Sequence, residues 1–330
     1  MDVSVVIPTW QGRHLLETCL SALAQSQVEA AVVVVDNGST DGSVEWLQAA
    51  YPAVRLIRNP RNLGFAVAVN QGIRATRTRW IALLNNDAVP EPDWLARLLE
   101  VGETYPRTGA VASRMMFRDN PRIVSSAGIR VDPSGGAWDL FIGKTHWPAD
   151  PIEIFGASGG ACLYRREMLD DIGLLDEAFF AYLEDVDLAW RAQLRKWKTR
   201  LSPAAVVYHA LSATGGEGSS FKRYYLARNK WRVIVKNYPN RLLARNILTI
   251  GSYDALSVLR SVANADGAAL RGRADALRAL PGLVRQRRGI LNNRLATDTD
   301  IQRAMSPIES PIALHRRSQL VSRLARGRHE

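Results

Sequence analysis

The sequence predicts an α/β fold with a mostly parallel sheet flanked by helices. Over residues 1–105, short runs of Val, Ile and Leu alternate with segments of helical pattern, which is typical of right-handed βαβ units. The runs are almost continuous in apolar residues, as expected for strands buried on both faces. With 330 residues and 47% hydrophobic content, the chain can bury one large domain plus an appendage.

Four strand and helix pairs are predicted in this first region. In each pair a short apolar run is followed by a segment of helical pattern that leads back to the next run. The pairs are residues 3–9 with 12–24, 31–36 with 41–51, 54–59 with 64–76, and 80–87 with 91–105.

Residues 106–240 form a more mixed region. It contains a Gly/Ser-rich loop in FGASGGACLYRREML, an acidic helix start in YLEDVDLAWRAQLRKWK, and a short strand ahead of His209. Past residue 240 the pattern is helical, with a break at Pro281 and Gly282 and a loop-like stretch at SPIESPIAL.

The basic charge of the protein is concentrated in its last part. Residues 241–330 hold 16 Arg and no Lys against seven acids, a net charge of +9, whereas residues 1–240 carry only +2. Three interpretations remain open: a solvated helical face or oligomer contact, docking to an anionic membrane surface, and nucleic-acid binding. Nucleic acid is the least favoured partner because the chain carries no recognisable nucleic-acid-binding motif.

Several features are typical of a cytoplasmic protein. The start MDVSVVIPTW lacks the basic and apolar segments of a secretory signal, and no window approaches the roughly 18 apolar residues of a membrane span. Cys19 and Cys162 lie far apart without a CxxC pattern, which favours two reduced, buried thiols. We therefore expect a cytoplasmic location, with a peripheral position on the inner face of the cell membrane as an alternative.

Three polar clusters follow predicted strands. In open α/β sheets, ligands bind beyond the carboxyl ends of the strands, where loops and helix N-termini converge. The clusters should therefore face one cleft, although each alone could be a simple turn or helix cap. They are Pro8-Thr9-Trp10, residues 36–41, and Asn85-Asn86-Asp87.

Six segments, in this order, identify a known family. They are VSVVIPTWQG, VVVVDNGSTDGS, NLGFAVAVNQG, LLNNDAVPEPDWL, GASGGACLYRRE and FFAYLEDVDLAWR. Together they resemble glycosyltransferase family 2, with its GT-A fold, and most closely its bacterial rhamnosyltransferase-type members. The resemblance covers residues 1–240 and implies a nucleotide-binding half (1–105), an acceptor half (106–240) and a basic helical C-terminal extension (241–330).

The resemblance implies a divalent metal site. A sugar nucleotide leaves as a nucleoside diphosphate, and Mg²⁺ or Mn²⁺ can stabilise the charge that builds on it. Asp87 is then the metal ligand, Asn85 and Asn86 lie near the ribose or phosphate, and His209 completes the metal or diphosphate site. The Ser212, Ala213 and Thr214 that follow look like part of a phosphate-facing loop. A packed or surface role for His209 is the alternative.

The same resemblance places the nucleotide base. Asp36 would accept the N3 hydrogen of thymine or uracil, which cytosine lacks, so dTDP- or UDP-sugars are expected as donors. Trp10 would offer an aromatic face, or else pack in the core. The expected nucleotide contacts at these strand ends and the following loop are Pro8, Thr9, Trp10, Asp36, Arg61 and Asn62.

A general base is also required, because the acceptor hydroxyl must lose a proton as it attacks. By resemblance this base is Asp185, in a single displacement that inverts the anomeric carbon. Glu184 would contact the acceptor or tune the base through like charge. Asp187 is expected to be structural and to pair with Arg191 at i,i+4; acids that merely stabilise the first helical turn are the alternative.

Two further segments complete the expected site. Gly159, Gly160 and Ala161 lack bulk, as expected for backbone that lines the pocket of the transferred sugar. Arg228 and Asn229 lie on a helix that resembles the segment closing over the diphosphate in related enzymes. An amphipathic packing helix is the equal alternative.

The sequence thus predicts an inverting, metal-dependent glycosyltransferase with dTDP-L-rhamnose as the first donor expected. The acceptor would be a glycan or lipid-linked glycan in cell-envelope polysaccharide synthesis. Two alternatives remain: a sugar nucleotidyltransferase, for which IPTWQGRH is a poor substitute for a Gly-rich basic loop, and a non-catalytic protein that binds sugar nucleotides or glycans.

Overall fold

The protein is built on one mixed sheet covered by helices. A computed structural model describes residues 2–210 and 218–324. In these residues the sheet has the strand order β10-β12-β6-β11-β4-β1-β2-β3, with β5 paired to β12 and β7 paired to β6. The strands are β1 (Val3–Thr9), β2 (Ala31–Asp36), β3 (Arg55–Arg58), β4 (Trp80–Leu84), β5 (Ala88–Pro90), β6 (Thr108–Phe117), β7 (Asn120–Ser126), β8 (Ile129–Val131), β9 (Ala137–Asp139), β10 (Ile152–Ile154), β11 (Ala161–Arg165) and β12 (Lys198–His209); β8 and β9 form a separate hairpin.

The helices cover both faces of the sheet and build the C-terminal extension. They are α1 (Arg13–Leu23), α2 (Ser43–Ala50), α3 (Phe65–Arg74), α4 (Trp94–Thr104), α5 (Arg166–Ile172), α6 (Glu184–Leu194), α7 (Ser220–Asn237), α8 (Asn240–Ala263), α9 (Gly267–Arg278), α10 (Leu280–Asn292), α11 (Asp298–Ala304) and α12 (Pro311–Leu324). The first four helices begin and end within three residues of the predicted bounds, so the βαβ prediction is confirmed.

The strand pattern of the first half follows from burial on both faces. In β1, Val5 and Ile7 pack into the cluster that holds α1 and α4, whereas Val6 packs with α3 on the opposite face. Successive side chains of a strand point to opposite faces of the sheet. Because helices cover both faces here, every residue along the strand must be apolar or small. Strands β1 to β4 are parallel, and Thr9 is paired with Asp36 at their carboxyl ends.

The antiparallel strand β11 joins the two halves. It lies between β4 and β6 and pairs with both, with Ala161 opposite Leu84. The methyl group of Ala161 is buried in the hydrophobic core. Alternation along β11 points this side chain into the sheet core, so only the backbone of Ala161 is open to the predicted role in the sugar pocket, which stays a prediction.

The segment after Asp87 is a short strand that the sequence did not predict. Residues Ala88–Pro90 form β5, which pairs antiparallel with β12 and places His209 opposite Ala88. Proline is tolerated there because β5 is a short edge strand, where a missing N–H costs no ladder bond. This pairing brings the end of β12 beside Asp87.

The C-terminal extension is helical, as predicted. Pro281 lies in the first turn of α10, where its missing N–H is tolerated, so the predicted break is the boundary between α9 and α10. The predicted loop near SPIESPIAL is half wrong, because α12 begins at Pro311. No helix in the described ranges combines the length and apolar character needed to cross a bilayer.

A buried ionic network fixes α6 against α7. The Asp187 carboxylate is fully buried and lies 3.0 Å from Arg191 Nε and 2.8 Å from Lys236 Nζ. Asn237 Nδ2 also donates to it at 2.9 Å. Burial alone would raise the pKa of Asp187, but the charges of Lys236 and Arg191 lower it to about 2. The predicted pairing of Asp187 with Arg191 is confirmed, and the network reaches a second helix.

We predict that Asp187→Asn lowers the free energy of unfolding by about 3 kcal/mol, because two buried cations lose their shared partner. Since the pKa of Asp187 is lowered, this contribution is present above the ordinary carboxyl pKa of 3.8 and is lost as the pH falls toward 2. Urea denaturation at several pH values measures both effects.

The matched control is Asp93→Asn, which breaks the exposed i,i+4 pair with Arg97. This change should cost less than about 1 kcal/mol. Equal losses in the two variants would contradict the role given to burial.

Candidate active site

The ends of β1 and β2 carry a group of buried polar residues. Thr9 and Asp36 are both buried, and Asn37 N donates to Thr9 O at 2.8 Å. Asn86 Nδ2 donates to Thr9 Oγ1 at 3.0 Å, so the end of β4 is tied to the end of β1. Pro8 is buried within β1. The side chains of Thr9 and Asn86 therefore fix each other.

The Asp36 carboxylate holds the turn that follows it. Its Oδ2 accepts hydrogen bonds from Gly38 N and Ser39 N, each at 3.1 Å. Gly38 has a φ of +79°, and a Cβ there would lie 2.6 Å from the Arg61 Cα. Only glycine allows this close approach, which sets the backbone of Arg61 beside the turn.

Two other predicted nucleotide contacts lie at this rim. Trp10 is 37% exposed, so the alternative of core packing for this side chain is wrong. Asn62 Oδ1 accepts from Gly64 N at 2.9 Å, which shapes the loop before α3. The rim thus presents one aromatic face and the exposed Arg61 side chain beside these buried polar residues.

Asp87 and His209 form a buried pair with unusual geometry. Asp87 Oδ1 lies 3.0 Å from His209 Nε2, and both residues are more than nine-tenths buried. Neither atom has a hydrogen-bond partner of acceptable geometry, nor has His209 Nδ1. The separation of 3.0 Å allows an ion pair when His209 is protonated. It also matches two neighbouring ligands of one cation, because ligands about 2.1 Å from an octahedral ion lie about 3 Å apart.

The protein supplies few ligands to such a cation. In residues 2–210 and 218–324, no group of three or more His, Cys, Asp or Glu side chains could hold a metal. The Asp87 and His209 pair therefore needs oxygens from another molecule to complete a coordination shell. Ser212, Ala213 and Thr214, predicted to face a phosphate, lie outside the described residues.

Two neighbouring acids, Glu184 and Asp185, begin α6. The Asp185 carboxylate accepts from Gly159 N at 3.0 Å and from Val186 N at 2.8 Å. Glu184 is buried, and its Oε2 has no hydrogen-bond partner. Burial raises the pKa of both carboxyls, and the neighbouring Asp185 charge raises that of Glu184 further. A pair with raised pKa values in a cleft is suited to proton transfer near neutral pH.

One short turn connects the two pairs. Gly160 O accepts from Asn85 N at 2.8 Å, while Gly159 N holds Asp185. An added Cβ at Gly159 would meet Phe65 and Asp185 at ordinary contact distances. The turn thus spaces Asp185 from the strand end that carries Asp87.

Asp139, at the end of β9, was not found by sequence reasoning. Its charge raises the pKa of both Asp185 and His209, so it lies within electrostatic range of the two pairs. No motif marks it, because it follows a Gly-rich stretch with no helical or strand periodicity. It adds a further negative charge near both the acidic pair and His209.

The comparisons with known proteins decide the family. The sequence model described as "Glycosyl transferase family 2" matches residues 4–173, slightly more than half of the chain. The chain belongs to glycosyltransferase family 2. It is therefore a glycosyltransferase, and the two alternatives of a nucleotidyltransferase and a non-catalytic binding protein are not favoured.

Two curated relatives show how far the similarity extends. The N-acetylglucosaminyl-diphospho-decaprenol L-rhamnosyltransferase of Mycobacterium tuberculosis is 28% identical over 235 residues, which are 63% of this chain and 76% of that protein. The succinoglycan biosynthesis protein ExoO of Rhizobium meliloti is 42% identical over 129 residues, 38% of this chain and 35% of that protein.

Solved structures confirm the GT-A fold of this glycosyltransferase. GalNAc-T7 with UDP, GalNAc and Mn²⁺ superposes with a TM-score of 0.59 at 18% identity, over 72% of this chain and 48% of that one. The Pyrobaculum calidifontis mannosyltransferase PcManGT with GDP-Man and Mn²⁺ gives 0.53 at 18% identity, over 97% and 86%. At these identities the likeness shows the fold alone.

The arginine and asparagine of α7 hold a loop. Arg228 Nη2 donates to Ala178 O and Phe179 O at 2.8 and 2.7 Å, and Arg228 Nε donates to Asn229 Oδ1. Because Nε and Nη2 are engaged in this way, the contacts favour the packing alternative for α7. The expectation that Arg228 reaches the diphosphate stays a prediction for this glycosyltransferase.

We predict that the stability of the glycosyltransferase falls as the pH rises through the raised pKa values of Glu184 and Asp185. In the unfolded chain these carboxyls ionise at their ordinary pKa values. Between the ordinary and the raised pKa the folded state therefore binds more protons than the unfolded state. Over this pH range the free energy of unfolding falls by about 1.4 kcal/mol for each unit by which the pKa is raised. For Glu184 this range runs from pH 4.5 to about 8, and Glu184→Gln should reduce the loss of stability across it in a series of urea denaturations.

The exposed Glu167 on α5 gives the matched control, and Glu167→Gln should leave the pH dependence unchanged. If stability falls with rising pH as steeply in Glu184→Gln as in the wild type, Glu184 is already ionised in the folded protein over this pH range.

Proposed function

We propose that this glycosyltransferase moves a sugar from a nucleoside diphosphate donor to a hydroxyl acceptor by a single inverting displacement assisted by a divalent cation. The observation that carries the proposal is the turn at Gly159 and Gly160. It hydrogen-bonds to the metal-side strand end through Asn85 and to the base carboxylate through Asp185. A single displacement needs these two groups on one cleft, with the reacting carbon between them.

Asp87 and His209 would hold the cation, Mn²⁺ or Mg²⁺. A bound divalent ion acts as a Lewis acid that stabilises negative charge on a leaving diphosphate. Support comes from the unsatisfied Oδ1 and Nε2 atoms 3.0 Å apart and from the Mn²⁺ present in two solved structures with the same fold. With only two protein ligands, we expect the cation to bind tightly only together with the donor.

The donor pocket is expected at the rim of β1 and β2. Asp36 would accept the N3 hydrogen of the base with the lone pairs that Gly38 and Ser39 leave open, while Trp10 lies against the base. Arg61, Asn62 and Asn85 would approach the ribose and diphosphate. We propose dTDP-L-rhamnose first and a UDP-sugar second; the name of the Mycobacterium tuberculosis relative supports rhamnose.

Asp185 is proposed as the general base. The pKa of Glu184 is raised further than that of Asp185, so Glu184 keeps its proton to higher pH and leaves Asp185 ionised. The Asp185 carboxylate then accepts the proton of the acceptor hydroxyl as the new glycosidic bond forms and the nucleoside diphosphate leaves.

The acceptor is proposed to be a glycan or lipid-linked glycan in cell-envelope polysaccharide synthesis. The names of the relatives carry this proposal: one acts on a diphospho-decaprenol and another serves succinoglycan biosynthesis. A lipid-linked acceptor would require the protein at the inner face of the cell membrane, and the basic residues of 241–330 would favour that position.

Two substitutions separate the parts of the proposal. Asp185→Asn should lower kcat by about 10²- to 10⁴-fold and leave the Kd of the donor unchanged, because the amide cannot accept the proton. Asp87→Asn should weaken donor binding in the presence of Mn²⁺ and leave it nearly unchanged in EDTA.

Transfer assays with a panel of nucleotide sugars, together with calorimetric donor titrations with and without Mn²⁺, measure both effects. Full turnover by Asp185→Asn would remove the base assignment. Donor binding by Asp87→Asn that responds to Mn²⁺ like the wild type would remove the metal assignment.

A further inference from the structure

Exposed apolar side chains are concentrated in the C-terminal extension. Of the large apolar side chains that are exposed in the described residues, all but Trp10 and Phe221 follow residue 240. Leu248 on α8 is 86% exposed. Four more exposed large apolar side chains lie on the same helix, and they are Ile247, Leu256, Leu259 and Val262.

Four of these side chains, those of Leu248, Leu256, Leu259 and Val262, form one outer face of α8, whereas Ile247 lies beside it. Leu248 and Leu259 are eleven residues apart, which is close to three helical turns, and Val262 lies one turn beyond Leu259. The opposite side of the helix is anchored, since Asp254 accepts from Trp231 Nε1 at 3.2 Å and lies 3.4 Å from Arg273 Nε. The outer face is therefore fixed in orientation and directed to solvent.

Basic side chains flank this face. Arg241, Arg245 and Arg260 of α8 are exposed, and none of them forms an ion pair with any residue in 2–210 or 218–324. The acid of α8, Asp254, is buried against α7 and α9. An apolar stripe bordered by arginine without exposed acid is complementary to an anionic bilayer, whereas two copies of a region with a net charge of +9 would repel each other.

We propose that the outer face of α8 docks on an anionic lipid bilayer. Leu248, Leu256, Leu259 and Val262 enter the boundary between headgroups and acyl chains, and the flanking arginines contact lipid phosphates. The helix lies in the plane of the interface and does not cross it. This docking goes beyond the proposed transfer, because it requires neither donor nor cation.

The test is co-sedimentation of the full-length protein with vesicles. Phosphatidylcholine vesicles containing roughly one-third phosphatidylglycerol should bind the protein, with binding lost at high salt or on pure phosphatidylcholine. Leu248→Gln with Leu259→Gln should lower binding at least about tenfold. The matched control is Leu277→Gln with Leu295→Gln, which removes two leucines outside α8 that are each more than half exposed and should keep binding.

Two results would overturn the proposal. One is equal vesicle binding by the wild type and the Leu248 and Leu259 variant. The other is a wild-type protein that is dimeric in light scattering and a variant that is monomeric, with the same vesicle binding in both. In that case a second copy of the chain covers the outer face of α8. Neither result affects the proposed transfer chemistry, which is assayed on a short glycan acceptor without vesicles.

A second, independent observation concerns the loop that leads into the acidic pair. Phe180, Tyr182 and Leu183 all have φ near +67°, a region that non-glycine residues rarely adopt and that costs energy unless the surroundings hold it. The loop lies against Gly64 of α3, where a Cβ would come within 2.7 Å of Phe180 O. It ends directly at Glu184 and Asp185.

Asn229 binds this loop from the other side. It is fully buried, and its Nδ2 lies 3.1, 2.9 and 2.7 Å from Phe179 O, Ala181 O and Tyr182 O. Arg228 holds the carbonyls of residues 178 and 179. Together the two side chains hold the carbonyls of four of the five residues 178–182 in the strained conformation.

We infer that Asn229 is a positioning residue for Asp185, an inference that rests on the proposed function. Asn229→Leu keeps the branching at Cγ and removes the donor. It should lower kcat about 10- to 100-fold with unchanged donor Kd, and should shift the acid limb of the pH profile because Asp185 leaves its buried setting. The matched control is Asn246→Leu, which removes a single bond within α8 and should leave kcat unchanged.

Arg228→Met provides a second variant that removes the bonds to residues 178 and 179. It should give a smaller loss in the same direction, so a failure of Asn229→Leu to fold still leaves a test. The inference is overturned if the wild type is active and both Asn229→Leu and Arg228→Met keep its kcat and its pH profile. A wild type without transfer would instead count against the proposed function.

Discussion

The geometry of the site depends on two backbone hydrogen bonds made by one turn. Gly160 O binds the amide of Asn85 at the end of β4, and Gly159 N binds the carboxylate of Asp185 at the start of α6. Because the turn is the lead-in to β11, which is paired on both sides in the middle of the sheet, neither bond can shift without disturbing the core. The distance between the proposed metal side and the proposed base is thus set by sheet register.

Three acids within four residues of α6 illustrate how surroundings decide charge. Asp187 faces Lys236 and Arg191 and has a lowered pKa, whereas Glu184 and Asp185 face the cleft without a cation and have raised pKa values. The ionised Asp187 holds α6 against α7. Glu184 and Asp185 have no such cationic partner, and their raised pKa values suit proton transfer. One short acidic stretch therefore holds a structural charge beside the carboxylate that we propose as the base.

The sequence predicted the parts of the fold that rest on local patterns. The βαβ half follows from buried strand runs such as 31–36, and the i,i+4 pair of Asp187 follows from helical spacing. It could not predict β5, because the pairing of Ala88 with His209 is set by strands more than a hundred residues apart. Asp139 was missed for the same reason, since only the tertiary fold brings it near the site. The loop contacts of Arg228 could not be predicted either, because a guanidinium suits phosphate and carbonyl oxygens alike.

Helix α7 connects the site with the extension. One part of it holds the loop of residues 178–182, and Gly272 of α9 packs so closely on its other side that a Cβ would clash with Tyr224 O. Tyr224 also donates to Asp275 of α9 at 2.7 Å. Removing residues 241–330 would therefore expose the back of α7 and loosen the loop before Asp185, in addition to deleting any membrane contact. Loss of activity in such a truncation could not be assigned to lipid binding, whereas substitutions on the outer face of α8 leave the packing of α7 intact.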